Sequence, residues 1–329
     1  MTESGHRTTA IAAGGSPAAG ARIAGLGAYR PRTVVDNKQA AVAAGVSPEW
    51  IAQRVGVQER RYATESETVI SMAVEASREA LAAAETGANS VDVVILATCS
   101  LPTAVPNGAA RVIAGLGCRA AAGFDLNAVC AGFNHALAVA DGLVRSAIAR
   151  TVLVVGSERM TDWVSAHDRD TGPIFADGAA AALGVPAARP GIFPVAWGSD
   201  GRRADLIRIG ATTGRLEMAG REVFGWAVTA LTPVIRAACA RADVEPDELK
   251  GFVPHQANLR IIKALGAAVG AASAITATDV THAGNTCAAS VPLALHALHR
   301  DGQLAAGDPV LLLGFGAGLS YAAQVVLSP

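Results

Sequence analysis

The sequence predicts a layered α/β protein whose helices cover both faces of its sheets. Three short apolar runs, at residues 91–97, 151–155 and 309–313, lack the alternation of half-exposed strands and are typical of strands buried on both sides. Alanine-rich segments between such runs predict the intervening helices. These helices are expected over residues 68–84, 107–116, 131–147, 222–242, 257–268 and 288–300.

Length and composition exclude several classes of protein. A chain of 329 residues allows roughly two domains, and 51% hydrophobic with 17% charged residues excludes a disordered chain. The net charge of −1 provides no basic field for nucleic acid or an anionic membrane. The N-terminal residues lack the apolar core of a signal peptide, and no apolar run of about 18 residues is free of Gly, Pro and charge. We therefore expect a cytoplasmic protein with no membrane span.

A rough internal repeat predicts two similar halves. Cys130 and Cys287 each precede an apolar helix, an Asp-Gly turn (141–142 and 301–302) and a strand that ends in glycine. The predicted divisions are a flexible tail over 1–20, a first half over 21–190 and a second half over 191–329.

The five cysteines form neither a disulfide framework nor a zinc motif, because no CxxC pair occurs among them. Cys130 follows a strand-like segment, 124–130, and opens a helix without a polar face. At a helix N-terminus, the dipole and free N–H groups stabilise a thiolate, and they could also hold an oxyanion. The residues alone leave both a reactive and a core thiol open for Cys130. The other four cysteines are predicted to be bystanders.

Two polar residues are candidate partners of this thiol. His255 follows the apolar run 251–254 and is expected at a strand-end turn, where a structural role is the alternative. Asn285 precedes the second apolar helix, where an N-cap or turn role is the alternative. His296 and His299 have a spacing that permits metal ligation, but a partly exposed helix face is favoured, and no metal site is predicted.

Six segments, spread over about residues 22–326, resemble one known family. They are Glu49–Arg60, Ala128–Phe133, Ile174–Gly178, Met218–Phe224, Val253–Ile262 and Gly284–Ser290. Together they are similar to β-ketoacyl-acyl-carrier-protein synthase III, the priming ketosynthase of fatty-acid synthesis. The stretches 158–162 and 314–321 look more like the actinobacterial members that prime aromatic polyketides.

The resemblance implies a thiolase fold, with five αβαβα layers in two similar halves, and a homodimer. It also implies a catalytic triad of Cys130, His255 and Asn285. Cys130 would carry the acyl group of an acyl-CoA, which is a substrate rather than a resident cofactor. His255 and Asn285 would bind the thioester carbonyl of malonyl-acyl carrier protein as decarboxylation makes an enolate. Backbone N–H groups of Cys130 and Ala317 would form the oxyanion hole.

The resemblance implies further contacts along the substrate path. They are Trp50 and Arg169 at the CoA adenine, Arg54 near the CoA phosphates, Asn258 in the pantetheine channel, Phe224 and Phe315 beside the nucleophile, and Arg260 at the carrier-protein docking face. Three departures concern substrate choice. A frequent lysine pair is replaced by Ala267 and Ala268, and a phenylalanine that closes the acyl pocket from the partner subunit is replaced by Val105. The stretch 201–218 is shorter than in well-known members.

Two other functions remain as alternatives to a chain-initiating condensation. One is an acyltransferase on the same scaffold that moves an acyl group to an alcohol or amine; Asn285 argues against it. The other is a non-catalytic ketosynthase-like subunit, which the presence of Cys130 and His255 disfavours. A Cys/His hydrolase is disfavoured because no separate orienting carboxylate is evident.

Overall fold

The computed structural model of the chain describes residues 18–329. Its strands are β1 (Gly20–Tyr29), β2 (Thr33–Asp36), β3 (Glu59–Tyr62), β4 (Val93–Ala97), β5 (Ala122–Leu126), β6 (Val152–Arg159), β7 (Asp177–Ala187), β8 (Ala196–Ser199), β9 (Ile207–Ile209), β10 (Leu216–Met218), β11 (Gly251–Pro254), β12 (Ile275–Thr276), β13 (Pro309–Gly316) and β14 (Ser320–Leu327). Its α-helices are α1 (Asn37–Ala44), α2 (Pro48–Arg54), α3 (Val69–Ala83), α4 (Gly108–Leu116), α5 (Gly132–Arg145), α6 (Gly220–Ala242), α7 (Leu259–Val269), α8 (Val280–Ala283) and α9 (Ser290–Arg300). Of the predicted tail, residues 1–17 lie outside the described residues, and Gly20 already belongs to β1.

Two five-stranded sheets repeat one topology. The first has the order β1-β7-β6-β4-β5 and the second the order β8-β14-β13-β11-β12. In each, the fourth strand of this order (β4 or β11) is parallel to both of its neighbours, and the two remaining pairs of neighbouring strands are antiparallel. This correspondence confirms that the chain contains two similar α/β units.

Five layers result from stacking these sheets. Helices α5 and α9 lie between them, where Phe133 and Leu295 share one core with Val154 of the first sheet and Leu312 of the second. Helices α3 and α4 pack on the outer face of the first sheet, and α6 and α7 on the outer face of the second. The αβαβα arrangement of the thiolase fold is thus confirmed.

Small residues allow the outer helix α3 to approach β1 closely. A Cβ at Gly27 would collide with the Ala76 carbonyl of α3, and one at Gly25 would collide with the Ala80 carbonyl. The neighbouring strand β7 is alanine-rich and buried over most of its length. The abundance of Gly and Ala therefore reflects close helix–sheet packing.

Two local predictions are wrong. Asp141 and Gly142 do not form a turn but lie inside α5, where Asp141 accepts a hydrogen bond from the Ala21 N–H at 2.9 Å and pairs with Arg145. His296 is buried rather than partly exposed, and its Nε2 lies 3.2 Å from the Glu79 carboxylate of α3.

Helix α6 is, within residues 18–329, the one helix that is long and apolar enough to cross a membrane by length and composition. It carries Pro233 inside, and Leu231 and Ile235 are buried against the second sheet. That packing is typical of a core helix in a globular α/β protein.

Candidate active site

A cavity of about 700 Å³ lies where the two halves meet. Cys130 from the first half lines it together with His255, Asn285 and Phe315 from the second. Its size is within the range of small-molecule sites. The structure therefore brings the three predicted catalytic residues to one space.

Cys130 lies in a tight 3₁₀ turn, residues 129–131, between β5 and α5. Val129 takes a φ of +49°, a conformation that costs a β-branched residue about 1–3 kcal/mol and is concentrated at functional sites. A Cβ on Gly316 would stand 2.9 Å from the Cys130 sulfur, so the backbone of the second half lies directly against the thiol. Ala317, the next residue, also lines the cavity. Cys130 and Ala317, whose backbone N–H groups are predicted to form the oxyanion hole, therefore both line the cavity near the sulfur.

His255 follows β11 and is held at both its backbone and its ring. Its N–H donates to the Leu313 carbonyl at 2.6 Å, and its Nδ1 lies 2.6 Å from the Ser290 hydroxyl. The Gln256 N–H donates to the same hydroxyl oxygen, so the hydroxyl hydrogen is free to donate to Nδ1. With the hydroxyl donating to Nδ1, the ring hydrogen is on Nε2, from which it can be donated into the cavity. Phe315 contacts the ring edge-on, with 5.3 Å between centroids.

Asn285 is fixed by hydrogen bonds on both sides of its backbone. Its N–H donates to the Ile174 carbonyl, and its own carbonyl accepts from Ala176, both at 2.9 Å. The side-chain Oδ1 accepts from the Cys287 N–H at 2.9 Å. The Nδ2 group of Asn285 consequently remains available as a donor at the cavity.

Three sulfur atoms lie in contact at the cavity wall. The Sγ of Cys287 lies 3.5 Å from the Sγ of Cys130 and 3.5 Å from that of Cys99. Contact with the Cys287 thiol lowers the pKa of Cys130 well below its ordinary value, against the opposing effect of burial, and His255 lowers it further. Burial raises the pKa of Cys287. Two of the four cysteines predicted to be bystanders, Cys99 and Cys287, are thus in contact with each other, and Cys287 also contacts the candidate nucleophile Cys130.

The structure aligns the two halves of the sequence repeat one residue away from the alignment that pairs Cys130 with Cys287. Cys287 begins the 3₁₀ turn 287–289 ahead of α9 and has a φ of +49°. This is the position of Val129, not of Cys130, in the first half. The apparent correspondence of the two cysteines is therefore offset by one residue.

Glu158 is a fully buried carboxylate behind Cys99. It accepts hydrogen bonds from the Thr98 and Ser100 hydroxyls and from the Cys99 N–H. Burial raises the pKa of Glu158 to about 7. Its acceptor sites are occupied by the loop that follows β4, so its role is to hold that loop.

The predicted adenine pair lies at the cavity mouth. The Arg169 guanidinium carbon stands 5.1 Å from the centre of the Trp50 ring. A ring between them would need about 7 Å, two contacts of about 3.5 Å. Arg169 is exposed, so opening this gap moves a solvent-facing side chain.

Arginines dominate the rest of the mouth. Arg54, Arg208, Arg221 and Arg260 line it, with the last stacked 5.6 Å from the centre of the Phe224 ring. Sequence reasoning missed Arg208 and Arg221: no motif marks Arg208, and Arg221 lies within the segment Met218–Phe224 but the resemblance implies no role for it. The local positive charge suits an anionic substrate, although the whole chain is nearly neutral.

Two other predicted contacts differ in placement. Asn258 lines the cavity and also caps α7, its Oδ1 accepting from the Ile261 N–H at 2.9 Å. Val105 does not line the cavity within one chain and is 85% exposed. Its predicted place in an acyl pocket depends on a second copy of the chain.

Comparisons with known proteins agree with this geometry. The sequence profile of a family described as 3-oxoacyl-[acyl-carrier-protein (ACP)] synthase III matches residues 124–201, and that of its C-terminal part matches residues 239–327. The chain is 45% identical to beta-ketoacyl-[acyl-carrier-protein] synthase III 4 of Streptomyces coelicolor over 94% of this chain and 99% of that protein. It is 43% identical to the mycobacterial beta-ketoacyl-[acyl-carrier-protein] synthase III of Mycobacterium marinum, over 92% and 94%.

Solved structures give the same result. The priming beta-ketosynthase of the R1128 polyketide biosynthetic pathway superposes with a TM-score of 0.91 at 41% identity, covering 94% of this chain and 96% of that one. A 3-oxoacyl-(acyl carrier protein) synthase III from Pseudomonas aeruginosa PAO1 superposes with a TM-score of 0.89 at 34% identity, over 94% and 98%.

Proposed function

Because the chain belongs to the 3-oxoacyl-[acyl-carrier-protein] synthase III family, we propose that it condenses an acyl-CoA starter with malonyl-acyl carrier protein to begin an acyl or polyketide chain. It is an acyl-transferring enzyme, and its relatives favour condensation over acyl transfer to an alcohol or amine. The observation that carries the proposal is the meeting of Cys130, His255 and Asn285 at one cavity.

The first step is acylation of Cys130. Its thiolate attacks the acyl-CoA thioester carbonyl, the C–S bond to CoA breaks, and CoA leaves as the thiol after gaining a proton. The N-terminus of α5 and the N–H groups of Cys130 and Ala317 stabilise the tetrahedral oxyanion. Arg54, Arg169 and Trp50 hold the CoA end, since guanidinium groups pair with phosphates and stack on rings.

The second step is decarboxylation and carbon–carbon bond formation. The malonyl thioester carbonyl accepts hydrogen bonds from His255 Nε2–H and Asn285 Nδ2–H, and loss of carbon dioxide leaves an enolate on that oxygen. Two neutral donors strengthen their bonds only as the charge develops. The enolate carbon then attacks the acyl-Cys130 carbonyl, and the Cys130 thiolate leaves as the β-ketoacyl product forms. No resident cofactor enters either step.

We place the carrier protein at the mouth beside α7. Arg260 and Lys263 are exposed on its first turns, where they can pair with acidic or phosphate groups. Ala267 and Ala268 leave the rest of this face uncharged, so docking is weaker than with a lysine pair. Phe315, which contacts the His255 ring, lines the acyl end of the cavity, whereas Phe224 lies at the mouth against Arg260.

We propose a cytoplasmic homodimer that binds neither nucleic acid nor membrane. Within residues 18–329, β5 pairs only with β4, and it carries the exposed Phe124 at this sheet edge. An edge strand with unpaired backbone groups is a template for a second copy. Pairing at this edge also suits the exposed Val105, because Val105 of one protomer would then reach the acyl pocket of the other.

A panel of acyl-CoAs tests the whole proposal. Intact mass should reveal one acyl adduct per chain with the preferred starter, and malonyl-acyl carrier protein should then release carbon dioxide and a β-ketoacyl product. Malonyl-CoA in place of the carrier protein is the matched control and should react more slowly. Transfer of the acyl group to an alcohol or amine without carbon dioxide would instead support the acyltransferase alternative.

Ser290 is predicted to position His255. Ser290→Ala removes the hydroxyl that holds Nδ1, worth about 0.5–1.5 kcal/mol, so condensation should slow about 2- to 13-fold. Acylation of Cys130 should stay nearly constant, and KM for malonyl-acyl carrier protein should change little. Ser290→Thr keeps a hydroxyl and should recover activity. Equal losses in both steps, with a lower melting temperature, would assign Ser290 a structural role only.

A further inference from the structure

The row of three thiols has a consequence beyond condensation. Cys130 and Cys287 come from opposite halves of the chain, yet their sulfur atoms lie 3.5 Å apart. A disulfide needs about 2.05 Å, so a modest rotation of either side chain would close the gap. Both thiols line the cavity, which a small oxidant can enter.

The two thiols differ in chemistry. Cys130 has a lowered pKa because the Cys287 thiol donates to its sulfur and His255 lies close. Cys287 has a raised pKa, first from burial and then from its two sulfur neighbours. The thiolate is the form that attacks a peroxide. Cys130 therefore reacts first with the peroxide, while the protonated Cys287 thiol lies in contact with it.

We propose that Cys130 and Cys287 form a reversible disulfide when a hydroperoxide enters the cavity. The Cys130 thiolate attacks one peroxide oxygen, the O–O bond breaks, and hydroxide leaves, giving a sulfenic acid on Cys130. The Cys287 sulfur then attacks the Cys130 sulfur, the S–O bond breaks, and the Cys287 proton leaves with the hydroxide as water. With hydrogen peroxide, the first hydroxide takes up the proton that Cys130 released when it ionised, so two thiols become one disulfide while one peroxide becomes two waters.

The surroundings favour this product over further oxidation. The sulfenic acid is uncharged, so its formation removes the negative charge of Cys130 that helped raise the pKa of Cys287. A disulfide is neutral and suits a buried site better than the charged sulfinate that continued oxidation would give. An acyl group on Cys130 blocks the reaction, so acyl-CoA should protect the pair.

Cys99 offers a matched control within the same cluster. Its sulfur lies as close to Cys287 as that of Cys130 does, at 3.5 Å. The pKa of Cys99, however, is raised to about 12. Contact with Cys287 lowers this pKa, but burial and the nearby Glu158 raise it by more. Cys99 therefore stays protonated and does not attack peroxide.

The test treats the full chain with hydrogen peroxide and follows intact mass and peptide maps, without any substrate. The unmodified chain should lose about 2 Da, link Cys130 to Cys287, and return to its starting mass with dithiothreitol. Cys99→Ser should behave in the same way. Cys287→Ser should instead gain oxygen on Cys130 and reach a sulfinic acid that dithiothreitol does not reverse. Cys287→Ala serves as the second variant if the serine disturbs folding; because it removes the donor that lowers the pKa of Cys130, its oxidation should be slower but should still end at a sulfinic acid.

Three results would overturn the proposal: direct oxidation of Cys130 to a sulfinic acid in the unmodified chain, a disulfide that joins Cys99 to Cys287 alone, or no reaction with peroxide. The readout is the mass of the protein itself. It therefore does not depend on the acyl-CoA used or on condensation, and it separates failure of this inference from failure of the proposed function.

Discussion

Cys130→Ala should abolish the acyl adduct and reduce condensation by at least roughly a thousandfold, because the variant has no atom to accept the acyl group. The alanine fits the space, since it only removes the sulfur from a buried side chain. Intact mass after incubation with the preferred acyl-CoA measures the first effect, and release of the β-ketoacyl product measures the second. The folded state should be retained, with a melting temperature close to that of the unmodified chain.

Cys118→Ala is the matched control. Cys118 lies in the turn after α4, outside the cavity, and burial raises the pKa of its thiol. This variant should keep both the adduct and the condensation rate. An adduct that survives in Cys130→Ala, or disappears in Cys118→Ala, would contradict the assignment of Cys130 as nucleophile.

Asn285→Ala should separate the two chemical steps. Loss of one donor to the developing enolate should slow condensation about 10²- to 10³-fold, as with other oxyanion donors. Acylation should change only a few-fold, because Asn285 Nδ2 has no part in the attack on acyl-CoA. Single-turnover measurements of CoA release and of carbon dioxide release distinguish the two.

Asn285→Asp tests whether the donor matters rather than the local structure. Aspartate keeps an oxygen that accepts from the Cys287 N–H, now 2.9 Å from Asn285 Oδ1, but replaces the amide donor with another acceptor. Condensation should be as slow as in the alanine variant or slower, since the carboxylate repels the enolate. Near-normal condensation in Asn285→Asp, or an equal loss of acylation in both variants, would rule out the proposed role.

Local sequence patterns were sufficient for elements whose residues carry strong preferences. The apolar runs of β4, β6 and β13 and the alanine-rich segments of the longer helices lie close to their predicted places. The strands β1 and β7 were not predicted, because Gly and Ala disfavour strands in isolation. Their position is set by α3, which packs so closely that larger side chains at Gly25 and Gly27 would collide with its backbone.

The site could be predicted only where one segment carries the information. Cys130 at the start of an apolar helix and His255 after a short strand are local features. The contact of Cys130 with Cys287 joins residues 157 positions apart, and that of His296 with Glu79 joins residues 217 apart. Such pairs depend on the stacking of two halves, which no local pattern describes.

The reactivity of Cys130 depends on residues that the ribosome makes last. Two of the groups that lower its pKa, Cys287 and His255, belong to the second half; a backbone hydrogen bond at Cys130 itself acts in the same direction, and burial acts against all three. A chain that ends before residue 255 lacks both of these second-half groups, so we expect its Cys130 to attack thioesters and peroxides more slowly than in the folded protein. Docking of the second half completes the surroundings that stabilise the Cys130 thiolate, so we expect partial or half-folded chains to take up acyl groups from acyl-CoA more slowly.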